Sequence, residues 1–229
     1  MTNLFGRFWG RAIGSDFNVN VNGPPGDTPE PPSPTPMDSS LLHGAKNRNE
    51  GANPVVAVGT QLRGVVAFAG LDGLHPGSVK TATLVLHVAS SSGWPAGGGT
   101  VAAHRLLVDF TEGNGKRFGL PSAEWTTGSG AGVTWNCATD ADVSNEGKDC
   151  TGNWIGNGAF LAQPTATAVH VNGQTGPVVF DVTADVVAGA HGWMLVKKSG
   201  SGEVHYHSKE GAALLGDPTL APQLLLELF

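Results

Sequence analysis

The chain has 229 residues, a formal net charge of −6, 34 glycines, 15 prolines and only 14% charged residues. Glycine and proline both weaken helices, so this composition excludes a helical bundle and favours many short strands joined by turns, in one domain. The acidic balance argues against nucleic acid as a partner, since phosphate binding draws on clustered Lys and Arg, and no apolar run reaches the roughly 18 residues of a membrane span.

Residues 1–22 open with MTNLFGRFWGRAIG. Arg7 and Arg11 interrupt the apolar stretch that a secretory signal needs, so the segment is expected to be retained. As a short helix over 4–13 it places Phe5, Phe8 and Ile13 on one stripe with Trp9 beside it, an apolar face too short to hold in water without a partner. The bland alternative is a disordered leader. Residues 23–36, GPPGDTPEPPSPTP, cannot form a helix or a central strand and predict an extended, semi-rigid tether that runs on to about residue 44.

From about Val55 the chain takes on β character. VVAV (55–58), QLRGVVAFA (61–69), KTATLVLHVAS (80–90), TVAAHRLLV (100–108), AVHV (168–171), VVFDV (178–182), WMLVKK (193–198), VHYHS (204–208) and PQLLLELF (222–229) all read as strands. In the third, Ala82, Leu84, Leu86 and Val88 alternate with Thr81, Thr83, Val85 and His87, the period of a strand with one buried face. In the last, Leu224, Leu226 and Leu228 alternate with Gln223 and Glu227. The one persuasive short helix is TADVVAG, with Thr183 as its cap and Gly189 as its stop. Two packed antiparallel sheets are the economical architecture.

Cys137 and Cys150 enclose a polar loop with no second cysteine pair, which favours a disulfide over a zinc site and leaves two buried thiols as the alternative. A disulfide would suit an oxidising setting such as a virion or an extracellular surface. Asp140, Asp142 and Asp149 concentrate oxygen ligands in that loop, as a calcium site requires, but the spacing is not that of an EF-hand, and a solvated acidic loop is the competing reading. His205 and His207 share a strand face without an identifiable third ligand. GNGKRFG (113–119) lacks the Ser or Thr and the helix of a phosphate loop. Trp94, Trp125 and Trp154 sit in predicted loops and are the candidates for stacking on a glycan, whereas Trp135 and Trp193 read as core. There is no G-x-S-x-G elbow and no H-E-x-x-H, so a non-catalytic role is expected.

HRLLVDFTEGNG (104–115), GVTWNCATD (132–140), VVFDVTADVVAG (178–189), GWMLVKK (192–198), HYHSKEG (205–211) and PQLLLELF occur in an order that resembles the DNRLRE domain family, related to carbohydrate-binding module family 96. The resemblance covers about residues 45–229 and departs from the family pattern at Phe110, where the corner carries tryptophan, and at Lys209, where the turn carries arginine. It implies a jelly-roll-like β-sandwich used as a non-catalytic surface module in secreted bacterial proteins and in phage structural proteins. The expectation is therefore a docking arm (1–22), a tether (23–44) and a sandwich (45–229). Such a protein would be displayed on an assembly such as a phage virion as a decoration, collar or fibre protein, as a homo-oligomer bound to other structural proteins through its arm. A secreted carbohydrate-binding module is the alternative, and the two coexist if a displayed module also binds glycans.

Overall fold

A computed structural model describes residues 34–71, 73–150, 154 and 159–229. The arm with Phe5, Phe8, Trp9 and Ile13, and the tether up to residue 33, lie outside the described residues.

Among the described residues ten antiparallel strands form the body: β1 (Thr35–Leu42), β2 (Val55–Val58), β3 (Leu62–Ala69), β4 (Val79–Ser92), β5 (Gly99–Arg105), β6 (Ala166–His170), β7 (Gly176–Asp181), β8 (Gly192–Lys197), β9 (Glu203–His207) and β10 (Gln223–Leu228). One sheet has the order β1-β3-β8-β5-β6; the other runs β10-β4-β9-β2, with β7 also paired to β4. Successive strands alternate between the sheets except at β5–β6 and β9–β10, so the chain wraps the sandwich as in a jelly roll. Two short helices interrupt it, α1 (Thr183–Val187) and α2 (Lys209–Leu215).

The alternation read in β4 is the packing that forms. Ala82, Leu84, Leu86 and Val88 enter the core between the sheets, where they meet Val66, Phe68, Phe180, Trp193, Leu195 and Tyr206. The first sheet is covered on its other face too. Leu41, Val65, Ala67 and Met194 pack there against Leu106, Phe110, Val133, Trp135, Trp154 and Phe160 from the long connection between β5 and β6. This second core holds the described part of the connection against the sheet: its aromatics bury what the outer face would otherwise expose.

Three local expectations change. Residues 35–42, assigned to the tether, form β1, registered from Thr35 opposite Ala69 to Leu42 opposite Leu62. Pro36 is tolerated because β1 is an edge strand, where a missing ladder donor costs little. Thr183 is the first residue of α1 and not its cap: its amide and hydroxyl both donate to Asp181 Oδ1, at 3.0 and 2.7 Å, while Gly189 takes the left-handed conformation (φ +81°) just past the helix. Finally, α2 starts within the segment expected as a turn after the strand ending at Ser208 and runs on through residues to which the sequence assigned no element. The Ser208 side chain accepts from the amide of Gly211, and Gly216 closes the helix at φ +67°.

Candidate functional site: the loop face and its buried polar anchors

The connection between β5 and β6 folds back over the sandwich edge formed by β1 and β2, and three polar side chains between those strands hold it. Asn49 is fully buried; its Nδ2 donates to the carbonyls of Glu112 and Val133, both at 2.7 Å, and its Oδ1 accepts from the amides of Gly51 and Gly115. Glu50 Oε2 accepts from the amides of Arg117 (2.7 Å) and Phe118 (2.9 Å) and from Asn53 Nδ2, while its Oε1 pairs with Arg48 Nε at 2.7 Å. Asn53 Nδ2 also donates to the Phe118 carbonyl. Loop backbone cannot be buried without partners, and these side chains supply them.

Beside this network lies a second cluster. Asp38 on β1, Glu112 in the connection and Glu210 on α2 bring carboxylate oxygens within 4.8 Å of one another. Lys209 stands among them: its Nζ pairs with Glu112 Oε2 and lies 3.5 Å from Glu210 Oε1, and its backbone amide donates to Asp38 Oδ2 at 3.0 Å. Glu112 Oε1 accepts from the backbone amide of Asp38 at 2.6 Å. Burial and the neighbouring Glu210 push the Asp38 carboxyl well above the usual range, and burial raises Glu210 also. Lys209 is held above its ordinary value by Glu112, against the opposing effect of burial. The ammonium pairs with two of the three carboxyl groups, Glu112 and Glu210, so the cluster reads as an ion-paired anchor. It also joins two segments that carry the family resemblance, the corner TEG (111–113) and the turn SKE (208–210). Nothing in the spacing of either segment signals that they meet.

The three loop tryptophans separate. Trp94 is buried; its Nε1 donates to Ser91 Oγ at 2.8 Å, and a Cβ added at Gly99 would lie 2.2 Å from the ring. Trp154 is buried in the outer core, its Nε1 donating to the Thr134 carbonyl at 2.9 Å. Neither offers a ring face to a sugar, which corrects the expectation for both: in each case core packing has claimed the ring. Trp125 is 49% exposed. Its Nε1 donates to the Leu120 carbonyl at 2.8 Å, which fixes the ring, and the Arg117 guanidinium lies 6.0 Å from its centroid. Arg117 in turn pairs with Glu146 at 2.6 Å. As expected, Trp135 and Trp193 are buried, and the Trp193 Nε1 donates to Asp185 Oδ2 at 2.8 Å.

Cys137 and Cys150 form a disulfide. Within its loop the carboxylates proposed for calcium accept hydrogen bonds from the loop itself. Asp140 accepts from the amides of Asp142 and Asp149, Asp142 from that of Ser144, and Asp149 Oδ2 from Asn145 Nδ2. Among the described residues the acidic side chains that do converge are those around Lys209. His205 pairs with Glu203 at 3.0 Å. No helix among the described residues is long and apolar enough to cross a membrane. No family model and no curated protein sequence matches the chain.

Proposed function

We propose that this protein is a non-catalytic structural or attachment component displayed on a large assembly, a phage virion, where it serves as a decoration, collar or fibre protein held by its N-terminal arm. The observation that carries this reading is the order of parts. An aromatic arm and a proline tether lead directly into β1, the edge strand of a sandwich whose loop face is fixed by a disulfide and by buried polar anchors. A braced body behind a proline-rich segment suits display, and the disulfide suits service outside a cell. The resemblance in motif order to the DNRLRE family points the same way. Light scattering on the full chain and on residues 34–229 tests the reading. A homo-oligomer that becomes monomeric on truncation is expected; a full-length chain that is monomeric alone and binds no particle protein contradicts it.

One observation favours a carbohydrate-binding role as a second reading. Trp125 presents a fixed, exposed ring beside Arg117 and Glu146, the mixture of apolar face and polar rim on which a sugar stacks. Loss of binding on a glycan array by Trp125→Ala, with binding retained on truncation to 34–229, would support this role over arm-mediated assembly.

A further inference from the structure

The Lys209 cluster has the parts of an amide-forming site. An amine nucleophile, Lys209 Nζ, is in contact with a carboxyl group, Glu112, whose side chain is only 14% exposed. The other oxygen of that carboxyl, Oε1, already accepts from the Asp38 backbone amide at 2.6 Å, a donor placed where negative charge would develop during attack at Cδ. A further carboxyl, that of the fully buried Asp38, lies beside it within 4.8 Å, and Glu210 completes the ring. We infer that Lys209 and Glu112 join through an intramolecular isopeptide bond, with Asp38 relaying the proton.

The step balances without any added reagent. The Lys209 ammonium gives one proton to Glu112 Oε2 across their contact, which leaves a neutral amine facing a carboxylic acid. Nζ attacks Cδ, and the charge gathers on Oε1 against the Asp38 amide. A second proton passes from Nζ through the Asp38 carboxyl to Oε2, which departs as water. The third proton stays on the new amide nitrogen. Burial keeps Asp38 protonated into a range where most carboxyls are ionised, so it can deliver one proton as it accepts another. Removing two opposite charges from a partly buried site also relieves their desolvation. The bond would tie the connection between β5 and β6 to α2, a covalent clamp on the loop face opposite in character to the reducible disulfide.

Mass spectrometry of the reduced full-length protein tests this. The expected intact mass is one water, about 18 Da, below that of the sequence. After trypsin, residues 106–116 should be recovered joined to residues 199–229, uncleaved at Lys209. Lys209→Arg keeps the positive charge beside Glu112 but cannot form the amide, so it should fold and show its full mass. Asp38→Asn should likewise fold and keep its water. A wild-type mass equal to the reduced sequence, with peptides 106–116 and 199–209 released separately, would overturn the inference. Water loss persisting in Lys209→Arg would place the dehydration elsewhere and overturn it equally.

Discussion

The Tyr206 hydroxyl and His170 Nε2 share a hydrogen bond of 2.7 Å between the two sheets, tying β9 of one to the edge strand β6 of the other with both side chains fully buried. Burial pushes the tyrosine well above its usual value and pulls the histidine below its own, so the pair is neutral on both sides. Tyr206→Phe keeps the ring and removes the partner of a buried imidazole nitrogen. The expected cost is about 2 kcal/mol, read as a lower urea midpoint with an unchanged slope.

Acid should weaken the fold. His87, His104, His170 and His207 are all held below their ordinary value of 6.5, in each case chiefly by burial. The unfolded chain therefore binds more protons than the folded one between the lowered values and 6.5, and stability rises with pH across that window. Their contribution is complete above 6.5 and is lost as the pH falls below it. Asp38 and Glu210, raised by burial, act in the opposite sense: their contribution is present at low pH and is lost as the pH rises through their folded values. The melting midpoint should thus fall on acidification from about pH 7 to pH 5, and fall more steeply in Asp38→Asn, which lacks an opposing term. A flat profile in both proteins would contradict this.

The separation of the loop tryptophans predicts opposite responses. Trp94→Ala empties a packed site against Gly99 and strands Ser91, and should cost about 4 kcal/mol. Trp125→Ala should change stability by no more than about 1 kcal/mol. Chemical denaturation of the two variants side by side reads the difference.

Glu50→Ala leaves the amides of Arg117 and Phe118 without their acceptor and Arg48 without its partner. A loss of about 3 kcal/mol is expected, concentrated in the connection between β5 and β6. Limited trypsin digestion should show faster cleavage at Lys116 and Arg117, while sites on the sheets stay protected.

Replacing Cys137 and Cys150 with alanine releases a constraint across a sequence separation of 13 and should cost about 3 kcal/mol in the chain-entropy account. Calorimetry on the variant, and on wild type with and without reductant, measures it.

Much of the sandwich could be read from strand alternation, because one-sided burial writes itself into a sequence. β4 is the clearest case, and β2 coincides with the VVAV run. β1 escaped that logic. Its residues Asp38, Ser39 and Ser40 are buried, but Asp38 and Ser40 find polar partners in other segments while Ser39 donates to the Ser40 carbonyl, so the stretch TPMDSSLL looks like a linker. The cover over the outer face was equally hidden, since Phe110, Trp135 and Trp154 follow no period; their burial depends on tertiary packing alone. For the same reason Trp94 and Trp154 looked available. The cluster around Lys209 had a faint signal in the corner glutamate and the turn lysine, but nothing in spacing says that residues 97 apart should touch.

The central claim, that an N-terminal arm anchors this sandwich to an assembly, is tested most directly by cryo-electron microscopy of intact particles from the native source, with mass spectrometry to identify the chain. The account predicts a fixed stoichiometry, with residues 1–22 ordered against a neighbouring subunit and the sandwich standing off on its tether. Particles lacking the chain, with the protein recovered only in free form, would contradict it.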